Sequence, residues 1–149
     1  MLRLSKKADY ALIAMKHLAQ QRPGAQSTSA REIAEHYDIP IELMAKVLQR
    51  LVRTGLLVST QGTRGGYVLN RPAASISVAD VIQAIDGPLT VTACSTEKND
   101  CEQYSKCSIR DSLWQIRERI AAALGTVTLS EMAAGNEVTS APVAVVRRA

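Results

Sequence analysis

The feature that most constrains the fold is an ordered set of helical patterns followed at once by a hairpin pattern. Apolar residues recur at helical spacing over 5–20 and again over 41–54. Between these stretches, Ser29 followed three residues later by Glu32 forms a capping-box start for a short helix. Gly55 then closes the third helix. Helix, short helix, turn and helix in this order predict a helix-turn-helix.

The next fifteen residues are typical of two strands joined by a tight turn. LLVST at 56–60 and GYVLN at 66–70 flank the glycine-rich tip QGTRG. A hairpin directly after a recognition-type helix is a wing, so we expect a mainly α fold with a small β-hairpin wing. Arg64 lies at the tip, where a guanidinium is well placed to enter a DNA minor groove.

The third predicted helix carries polar groups of the kinds that read bases and hold phosphates. Its outward residues, which we take as candidate DNA contacts, are Glu42, Lys46, Gln49, Arg50 and Arg53. We expect phosphate contact for the last two. The alternative is an ordinary core helix with a solvated face. Residues 1–71 hold eleven Lys/Arg and five Asp/Glu, a net charge of +6, whereas 72–149 carry −2. This asymmetry favours nucleic-acid binding by the first half.

The second half predicts a connector, a long helix and a tail. Ser77 caps a short helix over 78–86, and a longer helix over 108–124 ends at Gly125. Its apolar seam suits a second copy of the chain; the seam residues are Ile109, Leu113, Ile116, Ile120 and Ala123 or Leu124. We therefore predict a DNA-binding domain at 1–71, a connecting helix and loop at 72–107, a dimerisation region at 108–134 and a disordered tail at 135–149.

All three cysteines, Cys94, Cys101 and Cys107, fall within the run CSTEKNDCEQYSKC. An odd cluster is a poor disulfide framework. Buried cysteines usually have apolar neighbours, whereas these have polar ones. Three thiolates on one loop suit an iron–sulfur cluster with one position left for a different ligand. A structural zinc ion is the alternative, although zinc prefers shorter spacings and four Cys or His ligands.

Other classes of protein are less consistent with this chain. It has no apolar run long enough for a membrane span and no secretory signal, so we expect a cytoplasmic protein without a membrane partner. It also has no Ser/His/Asp arrangement, no glycine-rich phosphate loop and only two histidines. We therefore expect no enzyme activity and no small-molecule substrate, although an electron carrier or a redox enzyme is an alternative.

The order of these motifs resembles the IscR/NsrR-type winged-helix regulators. The resemblance rests on MLRLSKKADYALIAMKHLA, the wing RGGYVL, ISVADVIQAIDGP, the three cysteines and a long helix with Leu-Trp, and it covers residues 1 to about 134. The opening and the cysteine loop look most like regulators of the SUF iron–sulfur assembly system. The resemblance implies a homodimer that presents two winged helices to a double-stranded DNA operator, with an iron–sulfur cluster held by the three cysteines.

The fourth cluster ligand is where the chain departs from one branch of this group. IscR-like members have a histidine three residues after the third cysteine, where this chain has Arg110. NsrR-like members use an aspartate of the first helix that reaches the partner's cluster, and Asp9 matches that position. Other candidates are Glu97, Asp100 and Glu102. The Asp9 match favours a 4Fe–4S over a 2Fe–2S cluster. The resemblance implies a repressor in the cluster-loaded form, and a nitric-oxide sensor is the nearest alternative.

Overall fold

A computed structural model describes residues 3–91 and 101–135 of the chain. In this part the chain is mainly helical, with one two-stranded antiparallel sheet, which confirms the predicted fold class. The elements are α1 (Lys6–Ala19), α2 (Ala30–His36), α3 (Ile41–Arg53), β1 (Leu57–Thr60), β2 (Gly66–Leu69), α4 (Val78–Asp86), α5 (Arg110–Thr126) and α6 (Leu129–Ala134).

Local capping signals start the first helices where the sequence places them. The Ser5 hydroxyl accepts a hydrogen bond from the Ala8 amide and caps α1. At α2, the Glu32 amide donates to the Ser29 hydroxyl oxygen at 3.2 Å, and the Ser29 amide donates to the Glu32 carboxylate at 2.6 Å. This reciprocal pair satisfies two amides that the helix itself leaves free. Gly55 follows α3 with a φ of +81°, which a glycine adopts without steric cost.

The core lies between the first, third and fourth helices and is closed by the last one. Its fully buried side chains include Met15, Met44, Leu48, Ile76 and Leu129. The residues just before α6 form a short antiparallel bridge with the residues just before α4. The Val78 amide donates to the Val127 carbonyl at 2.8 Å, and the Leu129 amide donates to the Ile76 carbonyl at 2.9 Å. The segment around α6 therefore packs with the winged-helix part of the chain.

The wing is a hairpin extended by one residue of the α1–α2 loop. Leu57 pairs with Leu69 at the base, and Thr60 pairs with Gly66 near the tip. Thr28 pairs with Tyr67 on the other side, through amide-to-carbonyl bonds of 3.2 and 2.8 Å. A β-carbon on Gly66 would lie 2.6 Å from the Thr28 backbone. The close approach of these two backbones therefore requires glycine at this position.

The long helix α5 has no buried residue in the described chain. It begins at Arg110 and continues through Gly125 to Thr126, so the predicted stop at Gly125 is wrong. Gly125 has open space around it and a negative φ, so its backbone fits the helix. A glycine with helical backbone angles weakens a helix but does not end it. Ile109, Trp114 and Ile116 are exposed. Within the described residues, no helix is both long and apolar enough to span a bilayer.

Candidate nucleic-acid interface and candidate metal centre

The helix α3 presents the predicted DNA-contact side chains on its outer surface. The five residues are all exposed: Glu42, Lys46, Gln49, Arg50 and Arg53. The opposite side of the helix is buried, with Met44, Val47, Leu48 and Leu51 in the core. Packing thus fixes the rotation of α3 about its axis and leaves its polar stripe available to a groove.

A cleft of about 500 Å³ runs beside this stripe, between α1, α3 and the end of α4. Leu43, Val47 and Ile85 contribute its apolar surface. Its polar lining is formed by Lys7, Lys46, Gln49, Arg50 and Arg53. Lys7 is not among the predicted DNA-contact residues. Its neighbour in sequence, Lys6, is an equal candidate in the basic run SKK, and only the folded chain shows which lysine reaches α3.

Arg50 also has a structural contact within the protein. Its Nε donates a hydrogen bond of 3.0 Å to the carbonyl oxygen of Ala84, in the last turn of α4. Such a carbonyl has no partner inside its own helix, and the negative end of the helix dipole favours a cation there. The recognition-type helix is therefore braced against α4 by one of the two arginines expected to hold phosphates.

The wing continues the polar surface on the other side of α3. A shallow depression of about 180 Å³ is lined by Gln49, Val52, Arg53, Ser59 and Tyr67. At the tip, the Ser27 hydroxyl donates to the Arg64 carbonyl at 2.8 Å, which ties the tip to the α1–α2 loop. The Arg64 side chain itself is exposed. Helix and wing thus present one continuous surface with Arg64 at its end.

Two of the three candidate thiolate ligands lie in the described chain, and Cys94 lies outside the described residues. Cys101 and Cys107 are free, half-buried thiols at the two ends of one compact turn. The turn contains a short 3₁₀ helix at Tyr104–Lys106, and the Tyr104 amide donates to the Cys101 carbonyl at 3.0 Å. Soft, accessible sulfur donors on a hydrogen-bonded turn fit an iron–sulfur cluster or zinc.

Arg110, at the position where the IscR-like pattern has histidine, holds this turn against α5. Its Nη1 donates to the Tyr104 carbonyl at 2.8 Å, and its guanidinium carbon lies 4.6 Å from the centre of the Tyr104 ring. A 3.2 Å ion pair with Asp111 raises the pKa of Arg110 above its ordinary value. The residue is a cation at any physiological pH and therefore positions the loop without ligating a metal.

Asp9, the candidate fourth ligand, is half-buried in the first turns of α1. The start of this helix is fixed by α4, because the Ser5 amide and hydroxyl donate to the two carboxylate oxygens of Asp86 at 3.3 and 2.5 Å. In the described ranges, no three His, Cys, Asp or Glu side chains gather in one metal-sized group. Glu102 is exposed, whereas Glu97 and Asp100 lie outside the described residues.

The sequence matches a known family of transcriptional regulators over most of its length. Residues 4–135 match the model of the Rrf2 family, described as iron-dependent transcriptional regulators. The chain belongs to the Rrf2 family. It is 34% identical to the HTH-type transcriptional regulator IscR of Xenorhabdus nematophila over 138 residues, which cover 92% of this chain and 82% of the relative. IscR of Escherichia coli K12 is 33% identical over the same length, which covers 92% of this chain and 83% of that relative.

Solved structures of similar regulators share the fold of this Rrf2 protein. CymR, the global cysteine regulator of B. subtilis, matches with a TM-score of 0.70 and 28% identity over 89% of this chain and 97% of that one. T. potens IscR matches with a TM-score of 0.67 and 29% identity over 88% and 85%. The relatives are transcriptional regulators, so this chain is an IscR-like transcriptional regulator and not an enzyme.

Proposed function

We propose that this protein is a dimeric repressor whose operator affinity depends on an iron–sulfur cluster, and that it controls a SUF-type cluster assembly operon. The observation that carries the proposal is the pair of free thiols, Cys101 and Cys107, at the ends of a turn that leads directly into α5. Cys94 completes the thiolate set, and Asp9 of the partner subunit is the fourth ligand. The aspartate match favours 4Fe–4S over 2Fe–2S.

The homodimer is supported by the apolar surface that one chain leaves uncovered. Ile109 and Ile116, which are 59% and 44% exposed, are seven residues apart and therefore lie on the same side of the helix as Leu113 and Ile120. Next to them, a groove of about 500 Å³ is lined by Leu4, Leu89, Val91, Ile120 and Leu124, together with Arg3 and Thr90. Apolar surface along a whole helix face marks an interface, and a two-fold axis would let each subunit cover the other.

DNA recognition is assigned to the outer stripe of α3 and to the wing. In this proposal α3 enters the major groove, where Lys46 and Gln49 meet base edges and Arg53 meets phosphate. Arg64 at the wing tip enters the adjacent minor groove. Glu42 faces the same groove, and its carboxylate disfavours bases that present hydrogen-bond acceptor atoms to it. Two such units on one dimer read a near-palindromic operator with half-sites about one helical turn, ~34 Å, apart.

The end of α4 supplies a physical connection between the cluster loop and the DNA surface. Ala84 accepts from Arg50 of α3, and Asp86 accepts from Ser5 of α1. Gly87, with a φ of +79°, then turns the chain into the segment that leads to Cys94. Cys94, Cys101 and Cys107 would hold the cluster, which would supply a cross-link among them. A resulting change in the loop's position would shift the α4 end and, with it, α1 and α3. Only a difference in cluster affinity between two DNA-binding states is required.

Metal and sulfide analysis of anaerobically purified protein tests this function. We expect a brown protein with equal iron and sulfide, and loss of both the colour and high-affinity operator binding in Cys101→Ala. A Ser105→Ala variant in the same turn should keep both. One zinc per chain without sulfide would favour the zinc-stabilised alternative, and iron-independent repression by Cys101→Ala would contradict cluster sensing. Response to nitric oxide at constant iron supply would instead favour the nitric-oxide sensor.

A further inference from the structure

We propose that the cleft between α1, α3 and α4 is a seat for a DNA backbone phosphate, and that Lys7 of α1 is one of its ligands. This inference rests on the proposed DNA-binding function and extends the interface beyond the helix-turn-helix and the wing. Four cationic side chains line it: Lys7, Lys46, Arg50 and Arg53. None of the lining residues is acidic.

Among the described residues, none of the four cations of the cleft forms an ion pair within 4.0 Å. Ion pairs within 4.0 Å among residues 3–91 and 101–135 lie on α5, at Arg110–Asp111 and Arg117–Glu118. Asp86, next to Ile85 of the cleft lining in sequence, accepts two hydrogen bonds from Ser5 and forms no ion pair within 4.0 Å with a described cation. The four cationic side chains are exposed to solvent and share the cleft with the apolar side chains of Leu43 and Ile85. An anion in the cleft would be attracted by all four charges.

The framework that carries these cations is held in place. Ser5 is fixed to Asp86, so the backbone of Lys7, two residues further along α1, has a defined position relative to α4. Arg50 is fixed to Ala84, so α3 has a defined position relative to the same turn. The α4 end therefore sets the distance between Lys7 and the cations of α3. Preorganised donors bind a phosphate with less loss of conformational entropy.

The position of the cleft favours DNA over a free small anion. The cleft shares Gln49 and Arg53 with the depression between α3 and the wing. The two therefore form one polar track that runs from Lys7 across the outer face of α3 to Ser59 and Tyr67. A duplex that receives α3 in its major groove passes its backbone over both ends of this track. The volume of about 500 Å³ suits a phosphate with its adjoining sugar against Leu43 and Ile85.

The test compares Lys7→Gln with Lys16→Gln in the intact protein. Both remove one positive charge from α1, but Lys16 lies in the last turn and does not line the cleft. Binding to a duplex selected by the wild-type protein from random sequence is measured over a range of salt concentrations. Removal of one phosphate contact from each subunit lowers the slope of log K against log salt by about 0.9 per subunit, or about 1.8 per dimer. We expect this change in Lys7→Gln, its near-complete rescue in Lys7→Arg and no change in slope for Lys16→Gln.

Three results would overturn the phosphate seat, and they separate it from the proposed function. Equal slopes for Lys7→Gln and Lys16→Gln, with tight binding by the wild type, would refute Lys7 as a ligand and leave DNA binding intact. Lys7-dependent binding of inorganic phosphate by the DNA-free protein, with an unchanged duplex slope, would make the cleft a site for a free anion. A wild type that binds no duplex would refute both. Melting temperatures of all variants confirm that each is folded.

Discussion

Gly66 controls how closely the wing can approach the α1–α2 loop. A β-carbon there would lie 2.6 Å from both the carbonyl carbon and the carbonyl oxygen of Thr28. These are backbone atoms that take part in the Thr28–Tyr67 pairing, so they cannot move aside without breaking it. We therefore expect Gly66→Ala to lower the free energy of unfolding by about 1–3 kcal/mol.

Gly125 provides the matched control for this substitution. It lies inside α5, where an added β-carbon meets no atom within 4 Å. Alanine is the better helix former, so Gly125→Ala should raise the free energy of unfolding by about 0.5–1 kcal/mol. Urea denaturation of both variants at one protein concentration checks the pair. A Gly66→Ala protein as stable as wild type would mean that the wing and the loop are not in this close contact.

Arg50 shows how one side chain serves two requirements. Its Nε is used by the Ala84 carbonyl, while the side chain still lines the basic cleft. Arginine can do both because its guanidinium carries five donors in a fixed plane. A lysine, with a single ammonium group, could not brace α4 and also present a donor to the cleft in the same geometry. The residue thus links the stability of the α3–α4 contact to the electrostatics of the interface.

At the element scale, the contact between α1 and α2 contains a histidine whose charge opposes folding. Burial and the nearby charge of His36 hold the pKa of His17 below its ordinary value, and the charge of Glu32 offsets only part of this shift. With the imidazole neutral and its proton on Nε2, the Tyr37 hydroxyl donates to Nδ1 at 3.0 Å. The unfolded chain then binds a proton more readily than the folded one, so stability should fall as pH drops from about 7 towards about 5.

Titration of the imidazole by NMR, together with unfolding curves across this pH range, tests the contact. The His36→Gln variant removes the like charge but leaves the burial of His17. We expect the pKa of His17 to rise in this variant while remaining below the ordinary value, and the acid-dependent loss of stability to shrink. An unchanged pKa of His17 in His36→Gln would show that the two rings do not interact electrostatically in solution.

The elements with local signals are predictable from the sequence, and the contacts between elements are not. Ser29 and Glu32 cap α2 through atoms three residues apart, so the pattern alone fixes that helix start. Lys7 and Arg50 are brought to one cleft by their packing against α4, whose Ala84 lies 34 residues beyond Arg50 in the chain. The predicted helix end at Gly125 is wrong because a glycine ends a helix through a positive φ, and the sequence does not show which glycines adopt one.

For the whole molecule, the proposal draws the cluster ligands from two chains. Asp9 lies on α1, whereas Cys101 and Cys107 precede α5. A ligand supplied by the partner would make every cluster a cross-link between subunits. It would also make cluster loss a change in how the two winged helices are held relative to each other, and an operator with two half-sites responds to that arrangement.

Heterodimers of differently tagged subunits decide whether Asp9 acts across the interface. In a pairing of Cys101→Ala with Asp9→Asn, the second subunit keeps its cysteines and receives an intact Asp9 from the first, so one cluster per dimer should form. In a pairing of wild type with the double variant Cys101→Ala/Asp9→Asn, the only intact cysteine loop faces an asparagine, and the full ligand set is lost.

We therefore expect iron, sulfide and absorption in the first pairing and their loss, or a marked shift of the spectrum, in the second. If Asp9 ligates within its own chain the two results exchange places, and if Glu97, Asp100 or Glu102 is the ligand both pairings hold one cluster.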